Sequence, residues 1–269
     1  MSKLRILYVA NEVDPFLNTT HVAEFLRKLP SAMQDKGFDI RILVPRFGLI
    51  NERKNRLHEV VRLSGFTVPV GDDDKPVTIK VASLPSARLQ VYFIDNEDFF
   101  QRKYVLSDKE NSFYADNDDR AIFFCKGALE TVKKLGWSPD IVHCSDWMTA
   151  LVPLYLKTSY KEDPIFKGAK VISSLFDNEF SHKFNADEIF EKVRLEGIED
   201  SMLQSIASAD YEGFMKIGIE YSDAIITTQE EKIEIFNKII NELPDKNVQY
   251  IAENDINAYN VLYTEMATA

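Results

Sequence analysis

Residues 11–21 read Asn-Glu-Val-Asp-Pro-Phe-Leu-Asn-Thr-Thr-His and join a short apolar run, Arg5 to Ala10, to a segment with helical periodicity. Strand, turn and helix in that order is the geometry in which the first amides of a helix meet a phosphate. Such a turn normally carries glycines, because the backbone must come close to the ligand. This one has none, and the first glycine of the chain is Gly37, beyond the helix. Thr19 or Thr20 then serves to cap the helix, and the helix dipole leaves only a weak attraction for anions. Two other stretches hold groups a cation could use: Asp72-Asp73-Asp74, and Asp177, Glu179 and His182 within "FDNEFSH". Neither has further ligands at metal-like spacing, so they read as an exposed turn and a solvated loop. His21 and His58 have no Ser, Cys or carboxylate relay in sequence. Cys125 and Cys144, the only cysteines, sit in apolar settings and read as reduced structural thiols.

The chain of 269 residues is long enough for one large α/β domain. Its net charge is −11, from 43 acidic and 32 basic residues, with no Lys/Arg stripe. That balance disfavours nucleic acid and anionic membranes as partners and suits a neutral polymer, a small molecule or a protein. No apolar run approaches the roughly 18 residues that span a bilayer. The opening "MSKLRILYVANE" turns acidic too soon for a signal peptide, so a cytoplasmic location is expected.

These residues must be positioned by alternating strands and helices. Val22, Phe25, Leu26, Leu29 and Met33 repeat at helical spacing and stop before Gly37, and Ile40 to Val44 is a second apolar run. Together with Arg5 to Ala10 they predict a βαβ unit with parallel strands, with Pro30 interrupting the helix. From 61 to 95 the period becomes two, predicting a hairpin folded at Gly71–Asp74 and a further strand in "RLQVYFID". Helices are then expected at 117–135, 147–157 and 229–242, a helical region over about 187–219, and strands at 141–144, 171–175 and 224–227. The fold class is α/β: a doubly wound, mostly parallel Rossmann-like sheet carrying a β-hairpin insertion. Residues 1–243 form a single domain. In the polar tail 244–269, Ile256, Tyr259, Leu262, Tyr263 and Met266 fall at roughly helical spacing, leaving a docked helix or a disordered end as alternatives.

Several stretches together resemble one family, the bacterial glycogen synthases and plant starch synthases. They are "RILYVANEVDPF", "LPSAMQDKGFDIRILVPRFG", "VYFIDNEDFF", "YADNDDRAIFFCKGALETVKKLGWSPDIVHCSDWMTALVPLYLK" and "GFMKIGIEYSDAIITT", in the family's order over about residues 3–243. The resemblance implies the N-terminal half of a GT-B glycosyltransferase, in which two Rossmann-like domains face each other across a cleft. In that family the N-terminal half contacts the glucan acceptor and part of the nucleotide-sugar donor, while the C-terminal half supplies most of the donor site. This chain is expected to end where that second half should begin.

The family pattern Lys-Thr-Gly-Gly-Leu-Ala-Asp aligns with Asn18, Thr19, Thr20, His21, Val22, Ala23 and Glu24. Asn18 replaces the lysine that would neutralise donor phosphate, and Thr20 and His21 replace the two glycines that admit the pyrophosphate. The pattern His-Cys-His-Asp-Trp-His-Thr aligns with His143, Cys144, Ser145, Asp146, Trp147, Met148 and Thr149. Met148 stands where the family has a sugar-contacting histidine, and a thioether cannot donate a hydrogen bond; it is expected to pack in or over the vacated cleft. Asp146 and Trp147 are expected as a helix cap and a core or cleft-wall aromatic. The pattern Thr-Ile-His-Asn aligns with Ser174, Leu175, Phe176 and Asp177, so Phe176 replaces another polar cleft residue. No catalytic, cofactor-binding or metal-binding residue is therefore assigned. The expected function is that of a non-catalytic relative that binds a partner protein, a second copy of itself or an α-glucan through the cleft face. The alternative is a glucosyltransferase, using ADP-glucose or UDP-glucose, completed by a separate donor-binding domain.

Overall fold

The computed structural model describes residues 3–85, 87–228 and 234–268. The strands are β1 (Arg5–Ala10), β2 (Asp39–Pro45), β3 (His58–Glu59), β4 (Phe66–Val70), β5 (Asp73–Ser83), β6 (Gln90–Asp95), β7 (Ile141–Ser145), β8 (Lys170–Leu175), β9 (Ala224–Thr227) and β10 (Val248–Tyr250). The helices are α1 (His21–Asp35), α2 (Glu52–Asn55), α3 (Glu97–Phe100), α4 (Asn117–Leu135), α5 (Leu151–Lys157), α6 (Ile189–Val193), α7 (Tyr211–Tyr221), α8 (Glu234–Glu242) and α9 (Ile256–Thr268), with 3₁₀ turns at Trp147–Thr149 and Asp200–Ile206.

The strands run in the order β10-β9-β8-β7-β1-β2-β6-β5-β3. All pairings from β10 to β6 are parallel, and β5 lies antiparallel to β6. The second half of β5 pairs with β6 while its first half pairs with β4, making the predicted hairpin with Gly71 (φ +57) at its tip. β1 to β2 steps one way across the sheet and β7 to β8 the other. The topological switch point therefore lies between β1 and β7, where crevices form in sheets of this kind.

Parallel strands must be covered on both faces. One face carries the contiguous layer α4, α5, α7 and α8, and the other carries α1 and α9. Gly218 permits that first layer to close: a Cβ there would lie 3.1 Å from the Ala150 carbonyl at the start of α5. In the tail, α9 packs against α1 and β7. A strand, β10, which the periodicity did not reveal, precedes the helix and joins the sheet edge.

One expectation is corrected. α1 runs unbroken through Pro30, which is itself buried on the core face. Proline removes one hydrogen bond within the helix, but Leu26, Leu29 and Met33 bury the same face on both sides of it and hold the two turns in line. The helical region expected at about 187–219 comprises α6, the 3₁₀ turn at Asp200–Ile206 and α7. Gly197 (φ +84) and Ala209 (φ +51) turn the chain, and the Asp210 carboxylate caps α7 by accepting from the Gly213 amide at 3.0 Å. The first part of the helix expected at 229–242 lies outside the described residues; α8 occupies the remainder.

α9 brings Tyr259 and Tyr263 onto the sheet against Phe25, Phe38 and His143. The Tyr8 hydroxyl donates to the Tyr263 hydroxyl at 3.2 Å. His143 Nδ1 lies 2.6 Å from that hydroxyl, and His143 Nε2 lies 2.6 Å from Ser174 Oγ. Burial among uncharged groups pushes the imidazole down to about 3, so it is neutral, with one ring nitrogen donating and the other accepting. Tyr263→Ala is expected to lower the unfolding free energy by about 3–5 kcal/mol, as for other large-to-small aromatic core changes. Tyr263→Phe, which removes the hydroxyl alone, is expected to cost about 1–3 kcal/mol; urea unfolding of both variants measures the two terms separately.

Candidate functional site

Ala10 of β1, Ser145 of β7 and Ser174 of β8 are in register across adjacent strands, so the residues that follow them emerge side by side. From β1 come Asn11 and Glu12, from β7 Asp146, and from β8 Phe176, Asp177 and Asn178. The loop 13–20 and the start of α1 close over this edge.

Glu12 is 1% exposed, and its carboxylate organises the loop. One oxygen accepts from the Thr19 amide at 2.8 Å and the Thr19 hydroxyl at 2.7 Å; the other accepts from the Thr20 amide at 2.7 Å and from the Thr20 hydroxyl. Thr20 Oγ1 in turn accepts from the Val22 amide at 3.2 Å, so Thr20 is the helix cap. The amides just ahead of α1, which an external anion would need, are thus occupied by a carboxylate of the chain itself. The exposed Asn18 side chain donates to Asp14 at 3.2 Å, and His21 is exposed. Asn18, Thr19, Thr20, His21, Glu24 and Asn178 line an open depression of about 400 Å³.

Asp146 lies beneath the depression and is 4% exposed. Its Oδ1 accepts from the Trp147 amide at 2.7 Å, capping the 3₁₀ turn; its Oδ2 accepts from Asn178 at 2.9 Å and Asn11 at 3.1 Å. Burial pushes the carboxyl up to about 7, against the lowering effect of those three donors. The backbone of Asp146 has φ +73, a conformation that costs a non-glycine residue about 1–3 kcal/mol. The interior gap that Asp146 lines, about 10 Å³, has room for roughly one water and nothing larger.

The other aligned positions do not meet at a ligand-sized space. Trp147 is 1% exposed and packs edge-on against Phe180 and Phe214, which makes it a core aromatic. Met148 is fully buried within the core, and its carbonyl accepts from Cys125 Sγ at 3.1 Å. Ser145 is buried, and its hydroxyl has no partner among the described residues. Phe176 packs edge-on against Phe25 at 5.3 Å, closing the space between α1 and the end of β8. Asp177 is exposed. Phe180 and His182 point inward onto Phe113, so "FDNEFSH" is an extended segment pinned by aromatic contacts. Cys125 and Cys144 are both buried and free, and burial pushes the Cys125 thiol up to about 12.

Residues 5–238 match the family model of the starch synthase catalytic domain. The chain belongs to the starch synthase catalytic domain family. It is 36% identical over 252 residues to the glycogen synthase of Chlorobium luteolum, an alignment covering 92% of this chain and 50% of that one. With the glycogen synthase of Chlorobium chlorochromatii it shares 43% identity over 176 residues, 64% of this chain and 35% of that one. The catalytic domain of starch synthase IV from Arabidopsis thaliana, bound to ADP and acarbose, superposes with a TM-score of 0.75 at 20% sequence identity, covering 93% of this chain and 52% of that one. The chain therefore spans about half the length of the curated relatives it matches. Within this family fold, the sheet with its hairpin corresponds to the N-terminal GT-B half.

Glu12, Asn11 and Asn178 carry the polar contacts at the strand ends, and none was singled out from sequence. Glu12 left one trace: an acid two residues after a buried strand and seven before paired threonines. Glu12→Gln leaves a single acceptor oxygen for four donors, and is expected to destabilise the protein by about 1.5–3 kcal/mol and to speed proteolysis within residues 13–20. Asp146 supplies a pH-dependent test. Because its carboxyl is raised in the fold, its contribution to stability is complete below the unfolded value near 4 and is lost as pH rises through about 7. Between about pH 5 and pH 8 the stability of Asp146→Asn is therefore expected to rise relative to wild type; a difference that stays flat with pH would show that Asp146 is not raised.

Proposed function

We propose that this glycogen-synthase-related chain is a non-catalytic member of its family that acts by binding, engaging a partner protein or an α-glucan at the strand-end face. The observation that carries the reading is the Glu12 carboxylate seated on the Thr19 and Thr20 amides. A sugar-nucleotide pyrophosphate would have to displace an anion that already makes four hydrogen bonds there. No lysine stands at position 18 to compensate, and β-branched Thr20 resists the positive φ a glycine would supply. Met148 and Phe176 add apolar bulk where the family resemblance places polar contacts to sugar. Loss of one preorganised donor typically costs about 10²–10³ in rate, and several positions have changed together. The Arabidopsis starch synthase is bound to ADP and acarbose, so a nucleotide and an oligosaccharide are the two ligand chemistries to test here.

The second reading, a glucosyltransferase completed by a separate donor-binding domain, draws on the chain's match to only half of each relative. Titration calorimetry distinguishes the two. ADP-glucose and UDP-glucose are expected to give no heat, and micromolar binding of either would overturn the non-catalytic reading. Retention on glycogen, displaced by malto-oligosaccharide, identifies the glucan as ligand. Absence of retention directs the search to a protein partner.

A further inference from the structure

The opposite end of the sheet carries a different chemistry. The N-terminal ends of β1, β2 and β6 and the exit of β5 surround a groove of about 680 Å³, lined among others by Lys3, Gln34, Phe38, Arg41, Arg88 and Gln90. That volume is in the range that holds a small organic ligand. At Tyr92 the fields of Arg41 and Arg62 act together, opposed by that of Asp39. Among the described residues, no carboxylate lies within 4.0 Å of Lys3, Arg41, Arg62 or Arg88, although many other cations of the chain are paired. The one acid in the groove, Asp39, is engaged elsewhere: its carboxylate accepts from Trp137 Nε1 at 2.9 Å and lies 3.8 Å from Arg5 Nε. Lys3, Arg41 and Arg88, with Arg62 nearby, outnumber the groove's one acid, Asp39, and leave a local positive field on a chain of net charge −11.

Arg41 is the most built of these groups. Its guanidinium lies over Trp137 at 5.1 Å and Tyr92 at 5.6 Å. Nη1 donates to the Tyr92 hydroxyl at 2.6 Å, while the buried Nε has no partner among the described residues. A guanidinium held by two rings and the Tyr92 hydroxyl has little left to lose in orientation when it grips an anion, and its fork suits the paired oxygens of phosphate. The floor is part apolar, from Phe38, Ile40 and Ala87, and Gln34, Ser83 and Gln90 offer polar groups at the walls. The overall acidity of the chain opposes long polyanions, which leaves a small ligand.

We propose that this groove binds a small phosphate-bearing metabolite, with Arg41 and Arg88 on the phosphate. The site is separate from the strand-end face and independent of the reading given for it. Trp137, stacked on Arg41, is the reporter. Ribose 5-phosphate and inorganic phosphate are titrated against the full chain, with ribose as the uncharged control, following tryptophan fluorescence and calorimetric heat. Saturable binding of the phosphate ester, weakened about tenfold in the exposed Arg88→Gln variant and in Arg41→Gln, supports the proposal. Equal affinity for inorganic phosphate supports it too, and identifies the ligand as the free ion. Absence of saturation into the millimolar range for both probes overturns it, as does equal binding by wild type and Arg88→Gln. Circular dichroism of each variant separates loss of binding from loss of fold.

Discussion

A parallel sheet has no face that water can be allowed to touch, and that constraint governs this molecule. Right-handed crossovers send α4, α5, α7 and α8 to one side and leave α1 alone on the other until α9 returns. The aromatic seam of Tyr8, Phe25, Phe38, Tyr259 and Tyr263 around a neutral His143 is how the second face is sealed. His143 can serve there only because nothing charged faces it, and its two hydrogen bonds satisfy both ring nitrogens. The aromatic that helps seal this face, Phe25, also meets Phe176 at the strand ends, so closing the core and narrowing the cleft are parts of one packing arrangement.

The strand-end region shows how a scaffold can keep its geometry while its electrostatics are satisfied internally. Glu12 supplies the negative charge that a helix N-terminus attracts, and Asn11 and Asn178 donate to Asp146 where a ligand's hydroxyls would otherwise have been sought. Both carboxylates are held by neutral donors from the chain itself, without a cation. The result is a polar edge whose two carboxylates are each satisfied within the chain, beneath an open depression of about 400 Å³. At the far end of the sheet, Lys3, Arg41 and Arg88 line a groove with no carboxylate within 4.0 Å of them among the described residues.

Much of this was legible in the residues. α4 was read from its first residue to its last because its apolar period is long and Gly136 ends it in the left-handed conformation. The βαβ unit, the hairpin at Gly71 and the strands of the second half followed from run length and period. The helical region at 187–219 was legible, but its division into α6, a 3₁₀ turn and α7 was not, because single glycines and an Asp cap are weak signals beside a run of helix formers. The continuity of α1 through Pro30 was missed because local preference was overridden by burial on both sides of the proline. β10 is three residues long and takes its identity from β9 beside it, so no pattern in its own sequence could announce it. At the strand ends, Asp146 and the altered loop were visible, whereas Glu12 acts through distance in space: its partners lie seven and eight residues away, across a turn whose path periodicity does not determine.

The bond between Tyr8 and Tyr263 joins residues 255 positions apart. A ribosome adding about 5–20 residues per second finishes the first strand roughly 10–50 s before the helix that covers it exists. Through that interval Tyr8, Phe25, Phe38 and His143 have no permanent neighbour on their outer side. Helix α1 and the early strands can form in the meantime, but the face they build together stays wet. A nascent chain of this design is therefore a natural client for whatever holds exposed aromatic surface near the ribosome, and its core dries only when α9 arrives.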